Sequence, residues 1–415
     1  MNLSKNNNDL IIGIIGLGYV GLPLAIEFGK KFKTIGFDIK KERIKNLSLS
    51  IDTTSEVNEV NFKKAKYLKF SNKRHDLINC NIYIITVPTP IYNNKKPDLR
   101  YIKKASVIVG KFLKKNDIVI YESTVYPGLT EEVCVPILIN ESNLKYNKDF
   151  FCGYSPERIN PGDKKYNIKN IIKVVAGSNK STTIKIKNLY NSIINAGIFV
   201  AKDIKTAEAA KVIENTQRDI NIALVNEIAL ICKKLGIKSK DVFDAASTKW
   251  NFLNFKPGIV GGHCIGVDPY YLTHKANLVG FNPKMILSGR ALNDSMPKYI
   301  FREIKKIMLK KNIIIKNSKV LILGLTFKEN CNDVRNTKVF EIGNHFIKSG
   351  AIINYYDPWV SKKDLNNLNK KRLIKKIPNN YYDCIIIAVS HNEFKKYSLK
   401  SLKKMCKINN VIYDI

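Results

Sequence analysis

Short apolar runs alternate with helical stretches along most of this 415-residue chain, an order that predicts an α/β fold. Two further observations sharpen the prediction. A strand leads into a glycine-rich turn and a helix near the start, and a second strand ending in glycine restarts the alternation at Lys319. Between these halves, Ile204 to Leu235 runs without Gly or Pro and carries alanine, leucine and isoleucine at helical spacing. The expected architecture is two Rossmann-like parallel-sheet domains joined by a long central helix in a helical domain, divided at residues 10–200, 201–305 and 306–415.

The first element is the isoleucine-rich run Leu10 to Ile15, which enters Gly16-Leu17-Gly18-Tyr19-Val20-Gly21. A helical pattern follows (Leu22, Leu24, Ala25, Ile26, Phe28), and then a strand from Thr34 to Phe37 ends at Asp38. This is the order of a dinucleotide-binding unit. Gly16 permits the tight turn, Gly18 lets a pyrophosphate lie on the backbone, and Gly21 lets helix and strand pack closely. The phosphates meet a helix N-terminus, whose unpaired N–H groups favour negative charge. Asp38, 17 residues after Gly21, can accept from both ribose hydroxyls and repels a 2′-phosphate, which points to NAD over NADP. The uncharged stretch Leu10 to Ile26 is broken by glycines and Pro23 and is short for a membrane span, so no membrane insertion is expected.

The next apolar runs each end in a polar cluster. Ile82 to Val87 stops at Pro88-Thr89-Pro90, and Ile118 to Tyr121 stops at Glu122-Ser123-Thr124. Phe150 to Gly153 leads to Ser155-Pro156-Glu157-Arg158, and Lys173 to Ala176 closes the series. Ligands meet a parallel sheet at the carboxyl ends of its strands, so Thr86, Thr124 and Glu157 are expected in one cleft; plain connections are the other reading. The stretch 204–235 predicts a helix roughly 45–50 Å long, suited to connecting domains and to a subunit interface. On it Lys211 and Asn215, four apart, share a face with Ala207, Ala210, Val212 and Ala223. The pattern alone fits a functional pair and a solvated one equally.

In the second half, Lys319 to Leu323 ends at Gly324, and Leu325-Thr326-Phe327-Lys328 and Asp333-Val334-Arg335 follow. A helical stretch reaches Lys348, and strands follow at Ile352–Tyr356 (ending at Asp357-Pro358), Cys384–Val389 and Asn410–Tyr413. No G-x-G-x-x-G is present. The expectation is a degenerate second domain that grips another phosphate-bearing ligand through Lys328 and Arg335.

The formal net charge is +35, but lysines are spread along the chain without a stripe of interleaved aromatics. This reads as a solvated basic surface that attracts anionic substrates, with no nucleic-acid partner. Eight cysteines without a C-x-x-C pair and five dispersed histidines predict reduced thiols and no metal site. With no leader pattern, a cytoplasmic location is expected. Gly261-Gly262-His263-Cys264 places a thiol in a glycine-flanked turn that lets substrate approach, with Asp268 four residues on. Taken alone, that is more commonly the pattern of a buried structural cysteine beside a turn.

Taken together, the motifs resemble the nucleotide-sugar 6-dehydrogenases, the UDP-glucose/GDP-mannose dehydrogenase family. The resemblance runs from Gly16-Leu-Gly-Tyr-Val-Gly-Leu-Pro23 through Val87-Pro-Thr-Pro90, Glu122-Ser-Thr124, Ser155-Pro-Glu157 and Ala210-Lys-Val-Ile-Glu-Asn215. It continues through Gly261-Gly-His-Cys264 with Asp268 to Thr326-Phe-Lys328 and Arg335. It implies oxidation of a C6 primary alcohol to a carboxylate by two NAD in succession. In that scheme the Cys264 thiolate adds to the intermediate aldehyde, since an aldehyde loses a second hydride only after a nucleophile has added. Lys211 and Asn215 match the oxyanion-stabilising pair and Asp268 the carboxylate that moves a proton with water. Thr124 and Glu157 match residues that position water for thioester hydrolysis. The resemblance extends cofactor contact to Gly16, Gly18, Tyr19, Val20, Gly21, Asp38, Arg43, Thr86, Pro88, Thr124 and Arg335. Substrate contact is implied for Glu157, Arg158, Ile159, Lys211, Asn215, Lys256, Gly261, Phe327 and Lys328, with Lys256 reaching a neighbouring subunit of a homodimer or higher homo-oligomer. UDP-glucose enzymes carry Cys-Phe-Pro-Lys-Asp and Phe-Leu where this chain has Cys264-Ile-Gly-Val-Asp268 and Arg158-Ile159. This chain is similar to the branch acting on UDP-N-acetylglucosamine or UDP-N-acetylgalactosamine, which supplies capsule and O-antigen building. UDP-N-acetylmannosamine or UDP-glucose oxidation, and non-catalytic sugar-nucleotide binding, are the alternatives.

Overall fold

The computed structural model describes residues 10–54, 56–159, 168–262 and 265–415. Two compact units emerge: residues 1–214 with 270–281, and residues 215–269 with 282–415.

The first unit is built on eight strands: β1 Ile11–Ile15, β2 Lys33–Phe37, β3 Leu68–Ser71, β4 Ile82–Ile85, β5 Ile118–Tyr121, β6 Phe151–Tyr154, β7 Lys173–Gly177 and β8 Ile198–Val200. Their order is β3-β2-β1-β4-β5-β6-β7-β8, so the chain winds outward in both directions from β1 and β4. β4 and β5 are buried at every position, as strands covered by helices on both faces must be. Ile12, Ile14, Ile84 and Ile120 form the centre of that core with Leu22, Leu24 and Phe28 of the helix Gly21–Gly29.

The last two strands depart from the expected parallel sheet. β7 runs antiparallel to β6, with Gly153 opposite Gly177 and Tyr154 opposite Ala176, while β8 is parallel to β7. The reversal carries Lys173, the first residue of β7, to the carboxyl ends of β5 and β6. Gly153 makes it possible, because a Cβ there would stand 2.2 Å from Ile186 and 2.7 Å from the Ala176 carbonyl.

The second unit carries a wholly parallel sheet, β10-β9-β11-β12, from β9 Lys319–Leu323, β10 Ile352–Tyr356, β11 Tyr382–Ile387 and β12 Cys406–Asp414. Its core packs Val320, Ile322, Ile342, Phe346 and Tyr355. The predicted long helix spans Ile204–Leu235. A second helix, Lys284–Lys310, carries Pro297 inside it. An interior proline costs roughly 3 kcal/mol of helix propensity; here Met296, Pro297, Ile300 and Ile304 are all buried, and packing outweighs propensity. Arg290 of this helix pairs with Asp219 of the long helix at 2.6 Å, with both side chains buried. No helix among the described residues is long and apolar enough to cross a membrane.

Candidate active site

The glycine turn after β1 is built for a dinucleotide. Gly16 adopts φ +97°, and a Cβ on Gly21 would lie 1.8 Å from the Gly16 carbonyl oxygen. The helix beginning at Gly21 is therefore pressed against the turn. A Cβ on Gly18 would meet nothing within 4 Å, so that side of the backbone is open to a pyrophosphate. Tyr19 and Val20 flank it, half-buried. Asp38, at the end of β2, accepts the Leu17 N–H at 3.0 Å and the Lys40 N–H at 2.9 Å on separate oxygens. Each oxygen keeps a lone pair for a ribose hydroxyl. These features fit NAD, which when bound serves as the hydride acceptor.

Arg43 supports this turn from beneath. It is buried, donates to the Leu17 carbonyl at 2.9 Å and pairs with Asp52 at 2.9 Å. Thr86, at the end of β4, donates to the Gly16 carbonyl at 2.7 Å. Pro88 is exposed and Thr124 half-buried beyond the ends of β4 and β5.

Glu157 lies beyond β6 and is buried, its Oε1 accepting the N–H groups of Arg158 at 2.6 Å and Ile159 at 2.7 Å. Its Oε2 accepts from Lys173 at 3.2 Å, and Lys173 also donates to Glu122 at 2.7 Å. Burial disfavours the Lys173 charge, but the two carboxylates outweigh it and hold its pKa above the usual lysine value. Burial pushes Glu122 up, against the pull of Lys173. Sequence reasoning quoted Glu122 only as part of a strand-end motif and missed Lys173 and Tyr190; the one signal for these two was a lysine opening an apolar strand. Arg158 turns to Glu214 at 2.8 Å and to the Ile172 carbonyl at 2.9 Å. Lys211, on the long helix, is buried at 7% exposure.

In the second unit, Asn215 donates to Asp268 at 2.5 Å, joining two of the expected residues. Cys264, with His263, lies outside the described residues. The turn before it is held tightly. Asn226 of the long helix donates to the Gly258 carbonyl at 3.0 Å and accepts its N–H at 2.8 Å. Gly261 lies against Asn336, and Gly262, at φ +85°, lies under the Phe327 ring. The expectation that these glycines open the backbone to substrate is thus corrected at Gly262: the space a side chain would take is filled by Phe327. Gly258, Gly261, Phe327, Lys328, Lys338 and Ser390 line a cavity of about 220 Å³. The Lys328 ammonium stands 5.6 Å from the Phe327 ring centroid. Arg335 closes its guanidinium on Asp333 at 2.9 and 2.7 Å, and Lys256 is exposed.

The turn after β9 repeats the one after β1. Gly324 donates to the Tyr356 carbonyl as Gly16 does to that of Phe37, at 2.9 and 2.8 Å. Asp357 accepts the Leu325 N–H at 2.6 Å as Asp38 accepts that of Leu17. The difference is His391, fully buried, with Nε2 3.2 Å from Asp357 Oδ2 and 3.2 Å from Thr326 Oγ1. It covers the carboxylate that the first turn leaves for a ribose. Among the described residues no cluster of three His, Cys, Asp or Glu is arranged to hold a metal.

Comparison with known proteins agrees with this geometry along the chain. Residues 10–194 match the NAD binding domain of the UDP-glucose/GDP-mannose dehydrogenase family, 205–295 its central domain and 321–415 its UDP binding domain. The chain is 52% identical to the UDP-N-acetyl-D-glucosamine 6-dehydrogenase of Pseudomonas aeruginosa, covering 98% of this chain and 96% of that one. It is 50% identical, with the same coverage, to the UDP-N-acetyl-D-glucosamine 6-dehydrogenase of Salmonella typhi. Among solved structures, the UDP-D-ManNAc dehydrogenase of Pyrococcus horikoshii superimposes with a TM-score of 0.88 at 30% identity, over 98% of this chain and 95% of that one. With all three domains matched in order and the dinucleotide turn intact, the chain belongs to the UDP-glucose/GDP-mannose dehydrogenase family, a family of NAD-dependent nucleotide-sugar oxidoreductases.

Proposed function

We propose that this enzyme oxidises the C6 alcohol of UDP-N-acetylglucosamine to the uronic acid, in two oxidations at one centre. The carrying observation is the likeness at 52% and 50% to two enzymes of that name, against 30% to the structure of a UDP-D-ManNAc enzyme. In this reading Lys211 and Asn215 donate to the substrate oxygen as negative charge builds on it. Asp268, held by Asn215, accepts the alcohol proton through water. The Cys264 thiolate then adds to the aldehyde, and the second oxidation leaves a thioester. Thr124 and Glu157 direct the water that hydrolyses it. Lys328 and the backbone beside Gly261 hold the UDP.

The cofactor and substrate contacts are proposed as the resemblance implies them, with Arg43 acting through the turn it supports. Leu224, Ile231 and Leu235, all more than half exposed on the long helix, support association into at least a dimer.

The test is NADH formation by the purified protein with UDP-N-acetylglucosamine, UDP-N-acetylgalactosamine, UDP-N-acetylmannosamine and UDP-glucose in parallel. Two NADH per sugar with UDP-N-acetylglucosamine is expected, and Cys264→Ala should abolish acid formation while NAD still binds. A clear preference for the galacto epimer would replace the substrate assignment. Full turnover by Cys264→Ala would refute the thioester route.

A further inference from the structure

We propose that Lys173 and Glu122 are positioning residues that fix the carboxylate of Glu157 for thioester hydrolysis. The inference rests on the reading above, in which Glu157 directs the attacking water, and adds that Glu157 takes that water's proton.

The observation is a buried cluster whose charges do not balance. The side chains of Lys173, Glu122 and Glu157 are 4%, 0% and 9% exposed. Lys173 Nζ donates to Glu122 at 2.7 Å and to Glu157 at 3.2 Å, and lies 5.3 Å from the Tyr190 ring centroid. The Tyr190 hydroxyl donates to the other Glu122 oxygen. One ammonium faces two carboxylates, leaving an excess negative charge away from water. A structural ion pair needs no second carboxylate, and burying one is costly.

The two carboxylates are held differently. Glu122 has both oxygens engaged by interior side chains. Glu157 is tied by Oε1 to the Arg158 and Ile159 N–H groups, and its Oε2 makes the longer contact with Lys173. Glu157, whose Oε2 makes the longer contact, is therefore the carboxylate of the two assigned to accept and return the proton. The tight Lys173–Glu122 pair keeps the ammonium in place through that cycle.

Hydrolysis needs only water. Its oxygen bonds to the thioester carbon, and the C–S bond breaks with the electron pair staying on the Cys264 sulfur. One water proton goes to Glu157, and the other is lost as the product acid ionises.

The experiment mixes enzyme with NAD and UDP-N-acetylglucosamine, records the NADH burst and reads the quenched protein by intact mass. Lys173→Met is expected to give a burst near two NADH per active site, then turnover slowed about 10- to 100-fold, with the thioester-linked acid accumulating on the enzyme. Lys173→Arg should restore much of the rate. Because Lys173→Met leaves Glu122 buried without its counter-charge, Lys173→Met/Glu122→Gln is made in parallel; it removes both charges of the tight pair at nearly unchanged volume. The adduct is expected there too. A purely structural role would lower melting temperature and slow both oxidations together, with no adduct. Wild-type turnover in both variants, or lost activity without adduct while Glu157→Gln does accumulate it, overturns the positioning role alone. Absence of adduct in Glu157→Gln overturns the reading on which it rests.

Discussion

The ring of Phe327 stands 2.7 Å from the point where a side chain at Gly262 would begin, and Gly262 holds φ +85°. Gly262→Ala therefore combines backbone strain with a clash and should destabilise by about 2–4 kcal/mol. Phe327→Ala in the same chain removes the clash but not the strain, so the double variant should recover part of the loss. Denaturant unfolding of the two singles and the double measures that coupling; strictly additive losses would sink the account.

Asn226 bonds both the N–H and the carbonyl of Gly258, and its amide also donates to Asn293 at 2.9 Å. Asn226→Ala leaves these buried groups without partners and should cost about 2–4 kcal/mol. Asn226→Asp turns an acceptor toward the Gly258 carbonyl and should do no better. Melting curves check stability, and turnover should fall with it because the turn toward Cys264 loosens.

Asp38 has one job in the fold and one in the proposed cofactor contact. Asp38→Ala should raise KM for NAD about 10- to 100-fold, with a smaller effect on KM for the sugar nucleotide. Steady-state kinetics with each substrate varied separately will show the split. An equal rise in both would mean that the variant disturbs the protein more broadly.

Glu208 accepts the N–H groups of Gly128 and Thr130 at 2.5 and 2.9 Å, and burial pushes its carboxyl up from 4.5 to about 7. A carboxyl raised in the folded state binds more protons folded than unfolded. Its stabilising contribution is complete below 4.5 and is lost as pH climbs through about 7, on the order of 3 kcal/mol. Glu208→Gln should flatten the fall of melting temperature between pH 5 and 7.5. Asp117, also pushed by burial to about 7, should leave some slope behind. An unchanged slope would mean that Glu208 does not titrate in this range.

Much of the architecture follows from local pattern. Buried parallel strands must be continuous apolar runs, so β1, β4, β5 and β9 are legible as such. The helix Ile204–Leu235 contains no residue that would break it. The dinucleotide turn is legible because its chemistry is in the backbone: three glycines and an acid at set spacing do the work whatever surrounds them. Asn215 and Asp268 are each legible within a motif, while the hydrogen bond that joins them across 53 residues belongs to the fold.

Tertiary structure decided what depends on direction and on partners distant in sequence. No local signal says that β7 runs antiparallel to β6, and that reversal alone brings Lys173 to Glu122 and Glu157. Pro297 argues against a helix that burial nevertheless sustains. Asp38 and Asp357 look alike in sequence, each ending the second strand of its half. Only the fold places His391 over Asp357 and leaves Asp38 available, because a side chain's neighbours are set by the packing of strands many residues apart and not by its own stretch of chain.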